Sequence, residues 1–290
     1  MSSGAQASFS VDSLKVRESP VRILALETSG RVGSVAVGLG PQLLAVRHFS
    51  HGMRHAVALM PMVQELVAAQ GWRPGDIQQV YLSTGPGSFT GLRIAIAVAR
   101  TLHQALGCQL VAVPTLDVLA CNAPPEVQNL VVVLDAKRGQ VFATRYQRLT
   151  AGQTAGVHDE AQVPCLVGVG GPPLGMSNPE STLPLVRMTD PALVDPAAFI
   201  RATPRPVTIL GEGVDYHRPA LQAGVDDPAE LIELDKKYWP GSAAAVHALG
   251  YQRALRKQWA DPATLLPVYI RLPEAQELWE KRHPTAAPQP

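Results

Sequence analysis

The chain has 290 residues, 46% of them hydrophobic, enough for one large domain or two modest lobes around a true core. Its 25 lysines and arginines nearly cancel 24 aspartates and glutamates. That balance excludes the basic surplus with which a protein grips a phosphate backbone through long-range charge, so any RNA substrate is expected to be held by a partner. Cys108, Cys121 and Cys165 are three scattered thiols, too few for a disulfide framework or a zinc site, and they fit a reducing cytoplasm.

Residues 1–20 are Ser-rich and polar, without a basic n-region or an apolar h-region, and read as a disordered tail rather than a signal peptide. No stretch approaches the roughly 20 uninterrupted apolar residues of a membrane span, because Arg93 and Arg100 break the most apolar candidate. Order is expected from Val21–Leu26, an apolar strand, followed by a turn at Gly30–Gly33 and strands at Ser34–Leu39 and Leu43–Phe49, a β-meander. Leu59, Met62, Val63, Leu66 and Val67 then recur at the spacing of one buried helical face, with Pro61 early in that helix or kinking it. A strand at Val80–Ser83 runs into Gly85-Pro86-Gly87-Ser88-Phe89-Thr90-Gly91, a helix follows from about Leu92 to Leu106, and a strand from Gln109 to Val113 completes a first lobe.

The second half opens the same way. Leu130–Asp135 is an apolar strand ending in an acid, as Ile23–Glu27 is, and each leads through a short Arg- and Gly-bearing loop into another strand, Gln140–Tyr146 in the second case. The echo suggests two lobes with a shared ββ start, at even odds from this repeat alone. After Tyr146 the pattern dissolves, and the proline density from Pro172 to Pro206 predicts a loop-rich insertion. Regularity returns with a buried strand, Val207–Leu210, closing in Gly211-Glu212-Gly213, then a helix from Ser242 to Trp259 and a strand from Pro267 to Arg271. The tail from Pro284 to Pro290 is again expected to be disordered.

Among chemically suggestive residues, the Gly85–Gly91 segment lies where backbone amides can approach an anion at a helix N-terminus. It lacks the Gly-Lys-Ser/Thr ending of a Walker loop and the dinucleotide spacing, so a tight turn into a packed helix is the favoured reading, by roughly two to one. Ser88 has no nucleophile elbow around it, and its hydroxyl is expected to cap the helix. The helix itself is apolar nearly all round apart from Arg93, Arg100 and Gln104. It therefore has two faces to bury, one on its own sheet and one, through its small alanines, either within this chain or against another. His51 and His55 have ligand-like i, i+4 spacing but no completing acid, which favours a solvated or capping pair by roughly four to one. Glu27 and Asp135 sit at strand ends, where magnesium at a nucleotide is conceivable and a catalytic role is not expected.

Gly85-Pro86-Gly87-Ser88-Phe89-Thr90-Gly91-Leu92-Arg93, after a strand and before an apolar helix, closely resembles the signature of the TsaB (YeaZ) family. Ile23-Leu24-Ala25-Leu26-Glu27-Thr28-Ser29, the helix through His55, Leu59 and Met62, Pro114-Thr115-Leu116, Leu134–Phe142, Gly211-Glu212-Gly213 and Pro267–Arg271 fall in the family's order, so the resemblance spans about Val21 to Arg271. It implies an α/β actin-like ATPase (ASKHA, ribonuclease H-like) fold of two related lobes with mixed sheets flanked by helices. In domain terms, residues 21–116 form the first lobe, 117–271 the second with a Pro-rich insertion at about 170–206, and 272–290 a C-terminal helix or tail.

The resemblance further implies a non-catalytic subunit that pairs with TsaD, together with the ATPase TsaE, in N6-threonylcarbamoylation of adenosine 37 in tRNAs reading ANN codons. Helices at about His55–Ala69 and Gly91–Leu106 would pack in a bundle with their counterparts on TsaD. His55, Leu59, Met62, Leu66, Gly87, Ser88, Phe89, Thr90, Arg93, Ile94, Ala97 and Val98 are the implied partner-binding residues. Glu27, Gly85, Asp135, Gly211 and Gly213 are the residues placed for nucleotide or phosphate contact, with ATP or ADP and magnesium expected at most at the complex junction. A homodimer through the same helices remains open, and tRNA is reached only through the complex. TsaD relatives carry a metal-binding His-x-x-x-His segment downstream of the glycine-rich helix, whereas Val111–Leu119 has no histidine, and His51 and His55 lie upstream. The opening strand ends in Glu27 where the family usually has Asp, a longer side chain that would misplace a magnesium-orienting carboxylate. An ATP-dependent small-molecule kinase of the same superfamily is the competing reading.

Overall fold

The computed structural model describes residues 20–49, 55–149, 162–163 and 184–268, the side chains of 55–58 excepted. The expected tails, His51, Cys165 and much of the Pro-rich stretch lie outside the described residues.

The meander forms as β1 (Arg22–Glu27), β2 (Gly33–Leu39) and β3 (Gln42–Phe49), all antiparallel. Helix α1 (His55–Ala69) contains Pro61 on its exposed side, and after it β4 (Gln79–Ser83) pairs parallel to β1. Helix α2 (Phe89–Leu106) then crosses to β5 (Gln109–Val113), parallel to β4. The resulting five-stranded sheet has the order β3-β2-β1-β4-β5.

Both faces of this sheet are covered, so its strands read as continuous apolar runs rather than as an alternation. Successive side chains point to opposite faces. Leu24, Leu26, Val35, Val37, Val80 and Leu82 pack beneath α1 and α2 with Leu59, Val63, Leu66, Ala95, Ile96 and Ala99. Ile23, Ala25, Ala36, Tyr81 and Val111 face the other way, into a core continuous with the second lobe.

That second core surrounds a sheet of order β12-β11-β6-β7-β9-β8. Its members are β6 (Asn129–Asp135), β7 (Val141–Arg148), β8 (Gln162–Val163), β9 (Leu185–Arg187), β10 (Ala192–Val194), β11 (Val207–Leu210) and β12 (Leu231–Glu233). β9 and β10 pair with opposite ends of β7 and together stand where β3 stands in the first sheet. β6, β7, this split strand, β11 and β12 therefore repeat the 3-2-1-4-5 order of the first sheet, with β11 parallel to β6 as β4 is to β1. The ββ echo read from the sequence is thus part of a repeated topology, the actin-like (ASKHA) arrangement of two related lobes.

The expectation of a loop-rich insertion up to Pro206 is corrected in its described part. Pro184, Pro191 and Pro196 border β9, β10 and the helix α4 (Pro196–Arg201) instead of preventing them. Pro196 opens α4, where its missing N–H costs nothing, and the Asp195 side chain accepts from Ala198 N. Helices α3 (Thr115–Ala120) and α5 (Gly213–Gln222) pack on β6. Helix α6 (Ala243–Leu255) follows the second sheet in sequence yet lies on β1, β2, β4 and β5 of the first. Its small face permits this: a methyl at Gly250 would stand 2.5 Å from Tyr81 Cδ2. The helix stops at Leu255, short of the expected Trp259. The expected strand at Pro267–Arg271 does not form at Pro267 and Val268, where one bond, Val268 N to Thr84 O at 2.7 Å, ties the segment down, and residues 269–271 lie outside the described residues.

Candidate functional site

The glycine motif seats α2 against the loop that follows β1. Ser88 caps the helix as expected, its hydroxyl accepting from Gly91 N at 3.3 Å. Ser88 N donates to Ser29 O at 2.7 Å, and Thr28 Oγ1 donates to Gly91 O at 2.8 Å. Gly85 N donates to Thr115 Oγ1 at 3.0 Å. The amides of Gly85, Ser88 and Gly91 are thus engaged within the protein itself. Gly85 is buried with φ +115°, and a methyl there would meet Val268 O at 2.9 Å. The phosphate-contact expectation for Gly85 is therefore corrected.

The same holds for the other glycines of that set. Gly211 (φ +117°) and Gly213 are buried against β6, and a methyl at Gly211 would lie 2.3 Å from Val133 O. They allow β11 and α5 to approach β6 closely and leave no open cradle.

Glu27 ends β1 fully buried. Its Oε1 accepts from Ser29 N at 2.6 Å and from the Ser29 hydroxyl at 2.5 Å, whereas Oε2 is buried without a hydrogen-bond partner. The turn into α6 closes over it: a methyl on Gly241 would stand 3.0 Å from Glu27 Cδ, and Ala243 N donates to Ser34 Oγ at 2.8 Å. Burial pushes the Glu27 carboxyl above the usual range, with the Ser29 bonds opposing it. The expected metal or nucleotide contact by Glu27 is corrected, because the side chain is sealed away from any ligand.

Asp135 ends β6 in the equivalent position but is satisfied differently. Its Oδ1 receives Lys137 N at 2.8 Å and stands 2.9 Å from His217 Nε2, and its Oδ2 receives the Lys137 ammonium. Desolvation would raise its pKa, and the bonds from Lys137 and His217 outweigh that and hold the carboxyl below the ordinary value. Lys137 also lies over the Tyr216 ring, and Arg31, from the β1–β2 loop of the other lobe, donates to the Tyr216 hydroxyl and pairs with Glu212 at 3.9 Å. Lys137 and Glu212 lie in segments that carry the family resemblance but were given no role there, and Arg31, Tyr216 and His217 were not picked out, because only the fold brings α5 beside the β1–β2 loop. Among the described residues no group of three or more His, Cys, Asp or Glu could hold a metal ion.

The surface of α2 is the opposite case. Phe89 is 48% exposed, unusual for a large apolar ring, and the Arg93 guanidinium sits over it at 3.7 Å from the ring centroid. Thr90, Arg93, Ala97, Arg100 and Gln104 face outward, and Ile94 and Val98 are half-buried along the edge of the core. Gly87 is exposed, and a methyl there would stand 2.5 Å from Ser29 O. With Leu266 and Pro267, the outer face of α2 lines a groove of ≈ 530 Å³. The second wall was not anticipated. Its signal is the pair Leu265 and Leu266, of which the first is buried and the second 66% exposed.

On α1, Met62 is half-buried, but Leu59 and Leu66 belong to the core under the sheet. They are removed from the expected partner-binding set because the i, i+3, i+4 stripe is spent on this chain's own strands. His55 opens α1, and its side chain is outside those described. Cys108 and Cys121 are buried, and among the described residues no helix is long and apolar enough to cross a membrane.

A family model described as TsaD, tRNA N6-adenosine threonylcarbamoyltransferase, matches residues 51–279. A Bacillus subtilis protein named tRNA threonylcarbamoyladenosine biosynthesis protein TsaB is 27% identical over 262 residues, which cover 89% of this chain and 97% of that one. An Escherichia coli protein of the same name is 36% identical over 144 residues, 49% of this chain and 62% of that one. Among solved structures, YeaZ from Pseudomonas aeruginosa superposes with a TM-score of 0.62 at 24% identity, covering 86% of this chain and 99% of that one, a likeness of fold.

Proposed function

We propose that this chain, which belongs to the threonylcarbamoyltransferase family and within it to the TsaB (YeaZ) proteins, is a non-catalytic scaffold subunit in the biosynthesis of threonylcarbamoyladenosine. In this reading it pairs with TsaD through the outer side of α1 and α2, TsaE joins the pair, and adenosine 37 of tRNAs reading ANN codons is modified by the complex in the cytoplasm. The observation that carries the reading is the outer face of α2, where an exposed aromatic ring, a small residue and a groove lie side by side. Such a combination is what a helix of another chain requires for close packing.

The sealed carboxyl of Glu27 supports the non-catalytic part. A carboxyl that orients magnesium must be ionised, and here the acid that ends the first strand is buried and its ionised form disfavoured. The buried carboxyl of Glu27 does not suit a magnesium-nucleotide, and in this reading ATP or ADP and magnesium belong to the junction with TsaD. The same burial weighs against the small-molecule kinase.

The test is size-exclusion chromatography with light scattering on this protein and TsaD of the same organism. Ala97→Trp is the informative variant: the position is exposed, so folding is retained, and an indole there blocks close helix approach. Ile94 and Val98 serve less well, because they are half-buried against the core and aspartate there would also damage the fold. A mixed complex formed by the native chain and lost in Ala97→Trp supports the reading; equal complex formation by both refutes it.

A further inference from the structure

The acids that end the opening strands of the two lobes sit alike and are served differently. Each spends one oxygen on the amide two residues ahead: Asp135 Oδ1 accepts from Lys137 N at 2.8 Å, and Glu27 Oε1 from Ser29 N at 2.6 Å. The second oxygen of Asp135 receives the Lys137 ammonium, which holds this acid ionised beside a cation. Glu27 Oε2 is buried without a hydrogen-bond partner, and the Ser83 hydroxyl at the matching end of β4 is buried without one too. Leu26 and Leu82 pair across β1 and β4, so Glu27 and Ser83 are neighbours one step further along.

Around Glu27 stand Ser34 on β2, Ser83 on β4, Ser29 in the loop after β1 and Gly241 before α6. Among the described residues, Ser29 and Ser83 are the groups that act on the acid, and neither is charged. An ionised Oε2 would hold a charge in the interior with one hydroxyl to offset it, a placement that proteins avoid by neutralising the group. A proton on Oε2 supplies a donor facing Ser83 Oγ, and satisfies both orphan oxygens at once. The arrangement continues into α2. Glu27 Oε1 also accepts from the Ser29 hydroxyl at 2.5 Å, and Ser29 O accepts at 2.7 Å from the amide of Ser88, the residue that caps α2.

We propose that Glu27 is a neutral carboxylic acid in the folded chain, donating Oε2–H to Ser83 Oγ, and that it is the positioning residue that fixes the loop on which the N-terminus of α2 is seated. At this strand end a proton does what Lys137 does for Asp135. The device belongs to the chain by itself and holds whether or not TsaD meets α2.

The experiment uses the full chain as native, Glu27→Gln, Glu27→Ala and Ser83→Ala, each checked by thermal melting. Gln has the shape of the neutral acid: its carbonyl accepts from Ser29 and its amide donates to Ser83. Infrared difference spectra at neutral pH, with glutamate carboxyls carrying carbon-13, read the proton. Amide hydrogen exchange at Ser88 reads the seat of α2, taken relative to Gly107, whose amide donates to His103 O at the other end of the helix. The native-minus-Gln spectrum is expected to show an acid carbonyl band, which Ser83→Ala shifts. Glu27→Gln is expected to exchange at Ser88 as the native chain does, and Glu27→Ala about 10-fold faster. As alkaline pH ionises Glu27, relative protection at Ser88 is expected to fall in the native chain and to hold in Gln. A carboxylate band in place of the acid band overturns the neutral acid, and so does faster Ser88 exchange in Glu27→Gln. A band that Ser83→Ala leaves unmoved overturns the pairing with Ser83. Native and Gln chains that respond alike to alkaline pH overturn the positioning role, even if Glu27→Ala does not fold. Unchanged Ser88 exchange in a folded Glu27→Ala overturns it as well.

Discussion

Gly91→Ala is expected to be among the most damaging single-methyl changes in the first lobe. A methyl at this position would stand 2.0 Å from Thr28 O, whereas ordinary contact begins at 3.4 Å, so the two backbones must separate by 3.4 − 2.0 = 1.4 Å. Neither side yields easily. Thr28 follows directly on β1 and donates its hydroxyl to Gly91 O at 2.8 Å, and the next residue, Ser29, accepts from Ser88 N at 2.7 Å. A shift of that size loosens these bonds and lifts the start of α2 away from the sheet, where Leu92 and Ala95 are packed. Overpacking a rigid site costs up to about 3 kcal/mol and each weakened hydrogen bond about 1 kcal/mol, against which alanine returns up to about 1 kcal/mol of helix propensity. The net loss is about 3–4 kcal/mol, read by urea unfolding. Gly107, which caps the other end of α2, is the control. It has φ +71° and nothing within 4 Å of a methyl, so Gly107→Ala bears only left-handed strain of about 1 kcal/mol. Should Gly91→Ala cost no more than Gly107→Ala, close approach is not what the glycine motif provides.

Glu27→Gln is expected to flatten part of the pH dependence of stability. The folded carboxyl keeps its proton above the ordinary value of 4.5, so native Glu27 loses stability as pH rises from there to the folded pKa, at about 1.4 kcal/mol per pH unit, and Gln removes that slope. A thermal-melt series unchanged in shape would contradict a sealed carboxyl. His247 has the reverse sign: burial holds it near pKa 4 against an ordinary 6.5, with its Nε2 3.1 Å from Gly40 O. The unfolded chain therefore gains a proton first as pH falls from 6.5 to about 4, and about 3 kcal/mol of stability is lost, a slope that His247→Gln should abolish. Tyr146→Phe removes the buried hydroxyl that donates to Asp117 Oδ1 at 2.9 Å, beside the Arg187 pair, and should cost about 2 kcal/mol in chemical unfolding.

Where the sequence pattern was long and uninterrupted it located elements to within a residue or so. β5 and β11 are apolar runs bounded by Gly and Pro, and no alternative period competes with them. α5 was missed because its buried residues Val214, His217 and Leu221 include a histidine, and Pro219 interrupts the pattern. β9, β10 and β12 have three residues each, too short for a period of two to declare itself. The exposed stripe of α2 was legible as a second face on an over-apolar helix, yet which of its residues face out was not. That depended on the line along which α2 meets β4, which assigns Ala95 and Ala99 inward and Ala97 outward although all three are alanine. The departure at Glu27 was visible as one extra methylene, but its burial depends on Gly241, far along the chain, arriving over it.

That arrival also bears on the proposed scaffold role. α6 lies between the lobes in space, its first residue bonded to Ser34 and its His247 to Gly40, while its apolar side joins Tyr81 and Val111 to the core of the second lobe. Opening the lobes would divide a continuous core. α6 thereby covers the first sheet from behind, while α1 and α2 pack on its front. A rigid platform loses little conformational entropy when a partner helix settles on it, so more of the contact free energy appears as affinity. On the proposed scaffold reading, the packing that closes over Glu27 also holds the first sheet on which α1 and α2 await a partner helix.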